Sequence, residues 1–360
     1  LSFELDEKYE RLKEFKNIPE IPAPVHLQHI LRPYQTSGFQ WLNYLNDVGW
    51  GGILADDMGL GKTVQALSML HHYKEINGSL KALVVCPTTL IYNWRNEVQK
   101  FAPSLSFHIH HGSVRSRNVE ELEKHNIVIT TYGTLRSDIQ VLLKMNFDYV
   151  ILDESQAIKN PASKVTRAAS LLNSKNRLCM SGTPLQNNTF DIFAQMNFLN
   201  PGLLGNMEFF RNEFATPIDK FGEQEQKEHL RKLLFPFILR RTKEQVAKDL
   251  PEKTETILFC EMEKEQRKVY EAYRNSFREK ILGTIDQQGI GRSQLTILQG
   301  LMKLRQICDS PAILNEEEKY PNHSIKLDEL AREIEENIGD HKALIFSQFL
   351  GMLALIKKKL

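Results

Sequence analysis

The sequence predicts an α/β fold, a central parallel sheet covered by helices, from three observations. Short apolar runs at Gly52–Ala55, Ala82–Cys86, Ile127–Ile129, Tyr149–Leu152 and Arg177–Met180 alternate with amphipathic stretches through the first two-thirds of the chain. Each run ends in polar or small residues: Asp56-Asp57, Pro87-Thr88, Thr130-Thr131, Asp153-Glu154 and Ser181-Gly182-Thr183. The first run also leads through a glycine-rich turn into a helical pattern, with Val64, Leu67, Leu70 and Tyr73 on one face. Open α/β sheets bind ligands at the carboxyl ends of their strands, so the chemistry is expected along that one edge.

At 360 residues the chain is too long for one ordinary domain, and two lobes are expected. Hydrophobic content of 41% and charged content of 25% leave ample material for large cores. No apolar run approaches the roughly 18–20 residues of a membrane span, so no membrane partner is expected. Cys86, Cys179, Cys260 and Cys308 are scattered, with no C-x-x-C pair, which argues against structural zinc or a disulfide framework and suits a reducing compartment. A net charge of +1 does not announce nucleic acid, so a DNA partner has to be argued from local sites. The chain opens Leu1-Ser2-Phe3-Glu4 without an initiator Met or a signal-like stretch, and it reads as cut from a longer protein.

Beyond the strand-rich part, Asn188–Leu250 reads as helical, with a polar loop at Pro217–Lys227. Val269, Tyr273, Phe277 and Ile281 recur at helical spacing, as do Ile297, Leu301, Leu304 and Cys308 further on. Gly283–Ser293 between them reads as a mobile loop. Lys342-Ala343-Leu344-Ile345-Phe346-Ser347 reads as the first strand of another α/β lobe, incomplete within these 360 residues. His108, His110 and His111 fit an alternating strand entering a turn at Gly112 better than a metal site, since no carboxylate or Cys sits at ligand spacing.

The segment Asp56-Asp57-Met58-Gly59-Leu60-Gly61-Lys62-Thr63 has the composition of a phosphate loop. Glycines let main-chain N–H groups wrap phosphates, and the following helix N-terminus favours negative charge. Lys62 would reach the β- and γ-phosphates and the Thr63 hydroxyl would bind Mg²⁺. The strict pattern asks for Gly at position 56, where this chain has Asp. The plain alternative is a chance Gly-Lys-Thr on a strand–helix turn. The acidic pair Asp153-Glu154, ending an apolar run, supplies the expected partner. Asp153 would hold Mg²⁺, and Glu154 would orient or deprotonate the attacking water. ATP and Mg²⁺ are therefore the expected cofactors, with Lys62, Asp153 and Glu154 as catalytic candidates.

In this order the motifs resemble the SWI/SNF-type helicase-like ATPases of helicase superfamily 2. Leu31-Arg32-Pro33-Tyr34-Gln35 is similar to that family's glutamine motif, which implies that Gln35 reads the adenine edge. Asp56–Thr63 resembles its motif I, in which Asp stands at position 56. Cys86-Pro87-Thr88-Thr89-Leu90 with Trp94 resembles motif Ia, Thr130-Thr131-Tyr132 motif Ib, and Asp153–Asn160 motif II, with Ser155 a mild departure. Ser181-Gly182-Thr183-Pro184-Leu185-Gln186-Asn187 resembles motif III, which implies that Ser181, Gly182 and Thr183 couple hydrolysis to a DNA track. Phe237–Lys243, Leu304–Cys308 and Leu344–Phe349 resemble segments of the family's helical insertions and second lobe. The wording of the phosphate loop and of Asn200–Leu204 leans toward bacterial members.

The resemblance implies a RecA-like lobe at residues 26–190 after an N-terminal extension at 1–25. It also implies a helical insertion at 191–250 and the start of a second RecA-like lobe with its own insertion at 251–360. Thr88, Thr130, Lys159 and Gln186 are the candidates to grip DNA phosphates. Arg240, Arg241 and Lys243 form a basic cluster that either touches DNA, docks the lobes or caps a helix end. The implied function is an ATP-driven double-stranded DNA translocase that moves bound proteins, RNA polymerase among the candidates, in a bacterial cytoplasm at the nucleoid or a eukaryotic nucleus. Alternatives are a strand-separating helicase and a nucleotide-sensing scaffold on polymerase or DNA. Arginines of the later motifs would complete the ATP site, so this chain alone is expected to hydrolyse ATP poorly.

Overall fold

The computed structural model describes residues 18–182, 189–246, 254–288, 290–314 and 320–360. The chain divides into two units, Leu1–Pro251 and Glu252–Leu360. The first is built on a seven-stranded sheet in the order β3-β4-β2-β5-β6-β1-β7. Its strands are β1 (Gly52–Leu54), β2 (Ala82–Cys86), β3 (Phe107–His110), β4 (Ile127–Thr131), β5 (Phe147–Asp153), β6 (Ser174–Met180) and β7 (Ile238–Leu239). Every pairing is parallel. Strands covered on both faces cannot alternate, and β1, β2, β4 and β5 are buried at every residue, as their continuous apolar runs required.

β1 and β2 are consecutive in the chain, yet β6 and β5 lie between them in the sheet. This is the reversal of strand order at which open sheets bind ligands. Register fixes what meets there: Leu54 pairs with Met180 and Met180 with Asp153. The phosphate loop that follows β1 and the acids that end β5 thus stand level, two strands or about 10 Å apart.

Helices cover the sheet, among them Pro33–Asp47, Lys62–Asn77, Ile91–Phe101 and Lys164–Leu171. Trp41 and Phe39 of the first are buried core residues, as their helical spacing with Leu42 and Leu45 predicts. Residues 18–25, read as part of an extension, pack on this unit through Ile18, Ile21 and Ala23. β3 bears the histidines: His110 is buried against Asp138 at 3.0 Å, and His111 contacts Thr134.

Four readings need correction. Pro217–Lys227 is not a polar loop but the end of helix Thr216–Phe221 and the start of helix Gln224–Leu234, hinged at Gly222 (φ +69°). Pro217 suits a first helical turn and Gly222 the position after a last one, so residues that read as loop formers are helix punctuation. The 191–250 segment is also not helical throughout. It returns to the sheet as β7, which pairs with β1 at Ile53↔Ile238 and Leu54↔Leu239. Two residues are too short for a periodicity to register.

The second unit contains the helices Lys264–Gln288, Ile290–Asp309, Ile325–Glu333 and Leu350–Lys359. Gly283–Ser293 is the third correction: apart from residue 289, which lies outside the described residues, its backbone is helical. A glycine costs a helix only about 1 kcal/mol, and the straight-chain residues around it favour helix. Gly300 faces Phe277, whose ring lies 3.0 Å from where a Cβ would stand, so the two long helices approach closely there. Residues 342–347, the fourth, form no strand, and the described residues of this unit contain none. A strand exists through its ladder, and among the described residues this segment has no neighbouring strand to pair with.

Candidate active site

The phosphate loop runs from Ala55 to the first turn of the Lys62–Asn77 helix. Gly59 and Gly61 hold φ of +86° and +75°, and a Cβ on Gly61 would stand 2.4 Å from Gln35 Nε2. Only glycine allows that turn and that approach. Lys62 Nζ donates to the Asp56 carbonyl at 2.7 Å, a neutral acceptor that leaves its charge for an anion. Gln35 is buried beside the loop; its Nε2 donates to the Leu60 carbonyl at 3.1 Å and its Oε1 accepts from the Arg32 N–H at 2.9 Å. Thr63 is partly buried in the first helical turn, while Met58 stands 70% exposed at the crest of the loop.

Asp56 is a different matter from its neighbours. Its carboxylate is fully buried and accepts from Arg241 Nε at 2.9 Å, from Arg241 Nη2, and from Gln65 Nε2 at 3.1 Å. Its side chain is therefore committed to Arg241, and main chain is what it presents toward a nucleotide. Asp57 is likewise tied through its backbone N–H to the Arg241 carbonyl at 3.0 Å, and through its Oδ2 to the Lys243 N–H at 3.1 Å.

At the end of β5 the Asp153 carboxylate accepts from Trp94 Nε1 at 2.8 Å and from the Glu154 N–H at 3.0 Å. Burial pushes the Asp153 acid above its usual range, and the Trp94 hydrogen bond and the Lys62 charge oppose that rise. Tyr132 donates to the Asp153 carbonyl at 2.7 Å and fixes the strand end from behind. Glu154 turns into the left-handed region at φ +51°, where glycine is at home and other residues are strained. Gln156 Nε2 donates to Glu154 Oε2 at 2.8 Å, and Ser181 Oγ donates to Gln156 Oε1 at 3.0 Å. A chain of hydrogen bonds thus links the acidic turn to the end of β6. Gly182 lies against the phosphate loop, since a Cβ there would stand 3.1 Å from Met58 Cγ.

The sheet therefore gathers Gln35, the loop 56–63, Asp153, Glu154, Ser181 and Gly182 along one edge. Thr183 and Gln186 lie outside the described residues. Thr88 and Lys159 are exposed at neighbouring strand ends. Thr130 is not: it is fully buried and its hydroxyl donates to the His110 carbonyl at 2.8 Å, so its side chain cannot grip a phosphate from this position. Sequence reasoning missed the roles of Trp94 and Arg241. An indole in an amphipathic helix signals core, and nothing in its spacing tells where its N–H points. The signal for Arg241 was the Asp at position 56, which the family resemblance accounts for by pattern but whose burial demands a buried cation.

The donor set suits the cofactors the sequence implies. Thr63 and Asp153 offer hard oxygen ligands of the kind Mg²⁺ takes, and the loop excludes a side chain where a phosphate would lie. A family profile described as the SNF2-related domain matches residues 34–313. The chain belongs to that family. Among SNF2-type relatives, Bacillus subtilis YwqA, whose name describes an ATP-dependent helicase/translocase, is 35% identical over 375 residues. That match covers 100% of this chain and 40% of YwqA. The TATA-binding protein-associated factor MOT1 of Saccharomyces cerevisiae is 34% identical over 325 residues, 83% of this chain and 17% of MOT1. The Sulfolobus solfataricus SWI2/SNF2 ATPase core in complex with double-stranded DNA superposes with a TM-score of 0.60 at 40% identity. It covers 95% of this chain and 70% of that one. The SNF2-family chain thus spans under half the length of these curated relatives, and its first unit carries a RecA-like fold.

Proposed function

We propose that this chain is the nucleotide-binding part of an ATP-dependent translocase that tracks along double-stranded DNA and remodels the protein–DNA complexes in its path. The observation that carries the reading is the level placement of the Gly59–Thr63 cradle and the Asp153-Glu154 pair across β1, β6 and β5. The Sulfolobus relative, solved on double-stranded DNA, supports the choice of partner.

On ATP binding, main-chain N–H groups of Gly59–Lys62 wrap the phosphates and Lys62 exchanges the Asp56 carbonyl for a phosphate oxygen. Thr63 and Asp153 would hold Mg²⁺, which neutralises phosphate charge when bound. Glu154 orients the attacking water and accepts its proton on a carboxylate oxygen, giving up its bond from Gln156. Gln156 then passes the change to Ser181, so the acidic turn and the end of β6 respond together. Gln35, beside the loop, would exchange its bonds to Leu60 and Arg32 for the adenine edge, and Thr88 and Lys159 would offer a hydroxyl and an ammonium to DNA phosphates. Contacts of that kind read no sequence.

The test is ATP turnover by the natural full-length protein with and without duplex DNA, paired with strand-displacement on a forked duplex. DNA-stimulated turnover without strand separation is expected. Efficient unwinding would favour the helicase reading, and turnover indifferent to DNA would end both. The 360-residue chain is expected to bind Mg·ADP or Mg·ATP yet turn ATP over at least a thousandfold more slowly, since an arginine finger contributes roughly 10³–10⁵ in rate. Turnover by the 360-residue chain at the rate of a relative with both lobes complete would overturn that part.

A further inference from the structure

β7 does more than add an edge strand. The residues after it run beside the phosphate loop and are bonded to it by main chain. The Ala55 N–H donates to the Leu239 carbonyl at 2.7 Å, and the Asp57 N–H to the Arg241 carbonyl at 3.0 Å. The Lys243 N–H donates to Asp57 Oδ2 at 3.1 Å. Between these rails the Arg241 side chain enters a buried slot. Its guanidinium meets the Asp56 carboxylate with Nε and Nη2, and Nη2 also donates to Gln65 Oε1 at 2.8 Å. Nη1 donates to the Tyr34 carbonyl, and the guanidinium lies 5.3 Å from the centre of the Tyr34 ring. Gly38 makes the slot possible, for a Cβ there would stand 1.9 Å from Gln65 Oε1 and 2.8 Å from Arg241 Nη2.

We infer that Arg241 is a positioning residue of the nucleotide site, which holds the phosphate loop in its binding shape through the buried carboxylate of Asp56. This rests on the nucleotide reading above. One planar fork ties together Tyr34, which precedes Gln35, the first residue of the loop, and the first turn of the helix that follows it. The loop is thereby anchored at both ends while its crest at Met58 and Gly59 stays exposed to wrap phosphate. A lysine carries the charge but not the fork, so it cannot make these bonds together. The Asp at position 56, where other phosphate loops carry Gly, follows from the same geometry. A glycine there would leave the Arg241 charge buried and unpaired. The chain that returns through β7 is thereby coupled to the phosphate loop by hydrogen bonds and one ion pair, because the arginine follows that strand.

Binding of a fluorescent ADP analogue with Mg²⁺ to the 360-residue chain, read beside its thermal melt, tests this. Arg241→Gln and Asp56→Asn are each expected to weaken affinity tenfold or more, and the double variant no further than the weaker single one. Arg241→Lys should fall between, a partial rescue that mere loss of a buried group would not give. Asp138→Asn, which breaks the ion pair with Arg115 beside the end of β3, on the side of the sheet opposite β1 and β7, should lower the melting temperature and leave affinity within twofold. Affinity within twofold of the unaltered chain in Arg241→Gln would overturn the proposal, as would an equal loss in Asp138→Asn or losses that simply add in the double variant. Should Arg241→Gln fail to fold, unchanged affinity in Arg241→Lys would overturn it equally. Lys62→Ala separates the two levels of the argument. If it binds the analogue as tightly as the unaltered chain, the nucleotide reading itself fails and the positioning role falls with it.

Discussion

Glu154 is the one non-glycine residue with positive φ among the described residues, and it sits beside the acid expected to hold the metal. Strain of this kind costs roughly 1–3 kcal/mol and persists where the surroundings enforce it. Here the bonds from Gln156 and to Asp153 do so. Glu154→Gln keeps the size and the turn but cannot take a proton. Nucleotide affinity is expected to stay within threefold while DNA-stimulated turnover in the full-length protein falls by more than a hundredfold. Unchanged turnover would reassign the water-activating group. Trp94 gives a second prediction at this scale. Burial raises the Asp153 acid above its usual range, and the indole N–H works against that rise. Trp94→Phe removes that donor, so Asp153 should ionise only at higher pH. The Mg²⁺-dependent gain in ATP affinity, titrated calorimetrically between pH 5 and 8, should then fade at a higher pH in the variant than in the unaltered chain. Superimposable pH profiles would show that Trp94 serves packing alone.

Elements carry their own consequences. The arginine slot depends on β7, and β7 is held by what precedes it. Phe237 is 1% exposed with its ring 5.3 Å from that of Trp50, and Trp41 Nε1 donates to the Pro236 carbonyl at 3.2 Å. Phe237→Ala should cost about 3–5 kcal/mol in denaturant unfolding, and it should weaken Mg·ADP binding although Phe237 touches no part of the cradle. A second element, the turn at Asp138, is pinned by charge. The Arg115 guanidinium beside it holds the Asp138 carboxyl down to about 2. A depressed acid contributes stability that is complete above its unfolded value near 3.9 and is lost as pH falls toward 2. Asp138→Asn should therefore destabilise by about 3 kcal/mol at pH 6, the low end for a buried pair because Arg115 keeps some solvent. The gap between the two chains should close as pH drops from 4 to 2. The same contrast explains what the sequence displayed. A continuous apolar run such as β5 and a helix with one apolar face such as Lys62–Asn77 could be read from pattern, and so could the glycines and acids at their ends. β7 could not, because two residues have no period. Arg241 reaches Asp56 across 185 positions, a partnership set by the fold and by no local spacing. Residues 342–347 misled in the opposite sense, for an apolar run shows the capacity to pair and not the presence of a neighbour.

At the scale of the whole molecule the two units differ in what holds them. The first has one continuous core running from Ala23 to Phe237, whereas the compact core of the second gathers around Leu327, Met352 and Ile356. Leu344 and Phe346 of the second are 85% and 87% exposed, apolar area that contributes nothing to its folding. Stability that is uneven in this way unfolds in parts. Scanning calorimetry of the 360-residue chain is expected to resolve two transitions, the second unit melting first. Among the described residues the proposed nucleotide cradle lies in the first unit, so ligand should act on one transition alone. Mg·ADP at a hundred times its Kd adds about 2.7 kcal/mol to the state that binds it. For a unit of this size that moves the upper transition by roughly 5–10 °C and leaves the lower one in place. Hydrogen exchange should agree, with protection gained in residues 55–65 and 238–243 and none gained in residues 264–309. A single transition that shifts as a whole with nucleotide would mean that the two units unfold as one, and that what binds at Gly59–Thr63 is felt throughout the chain.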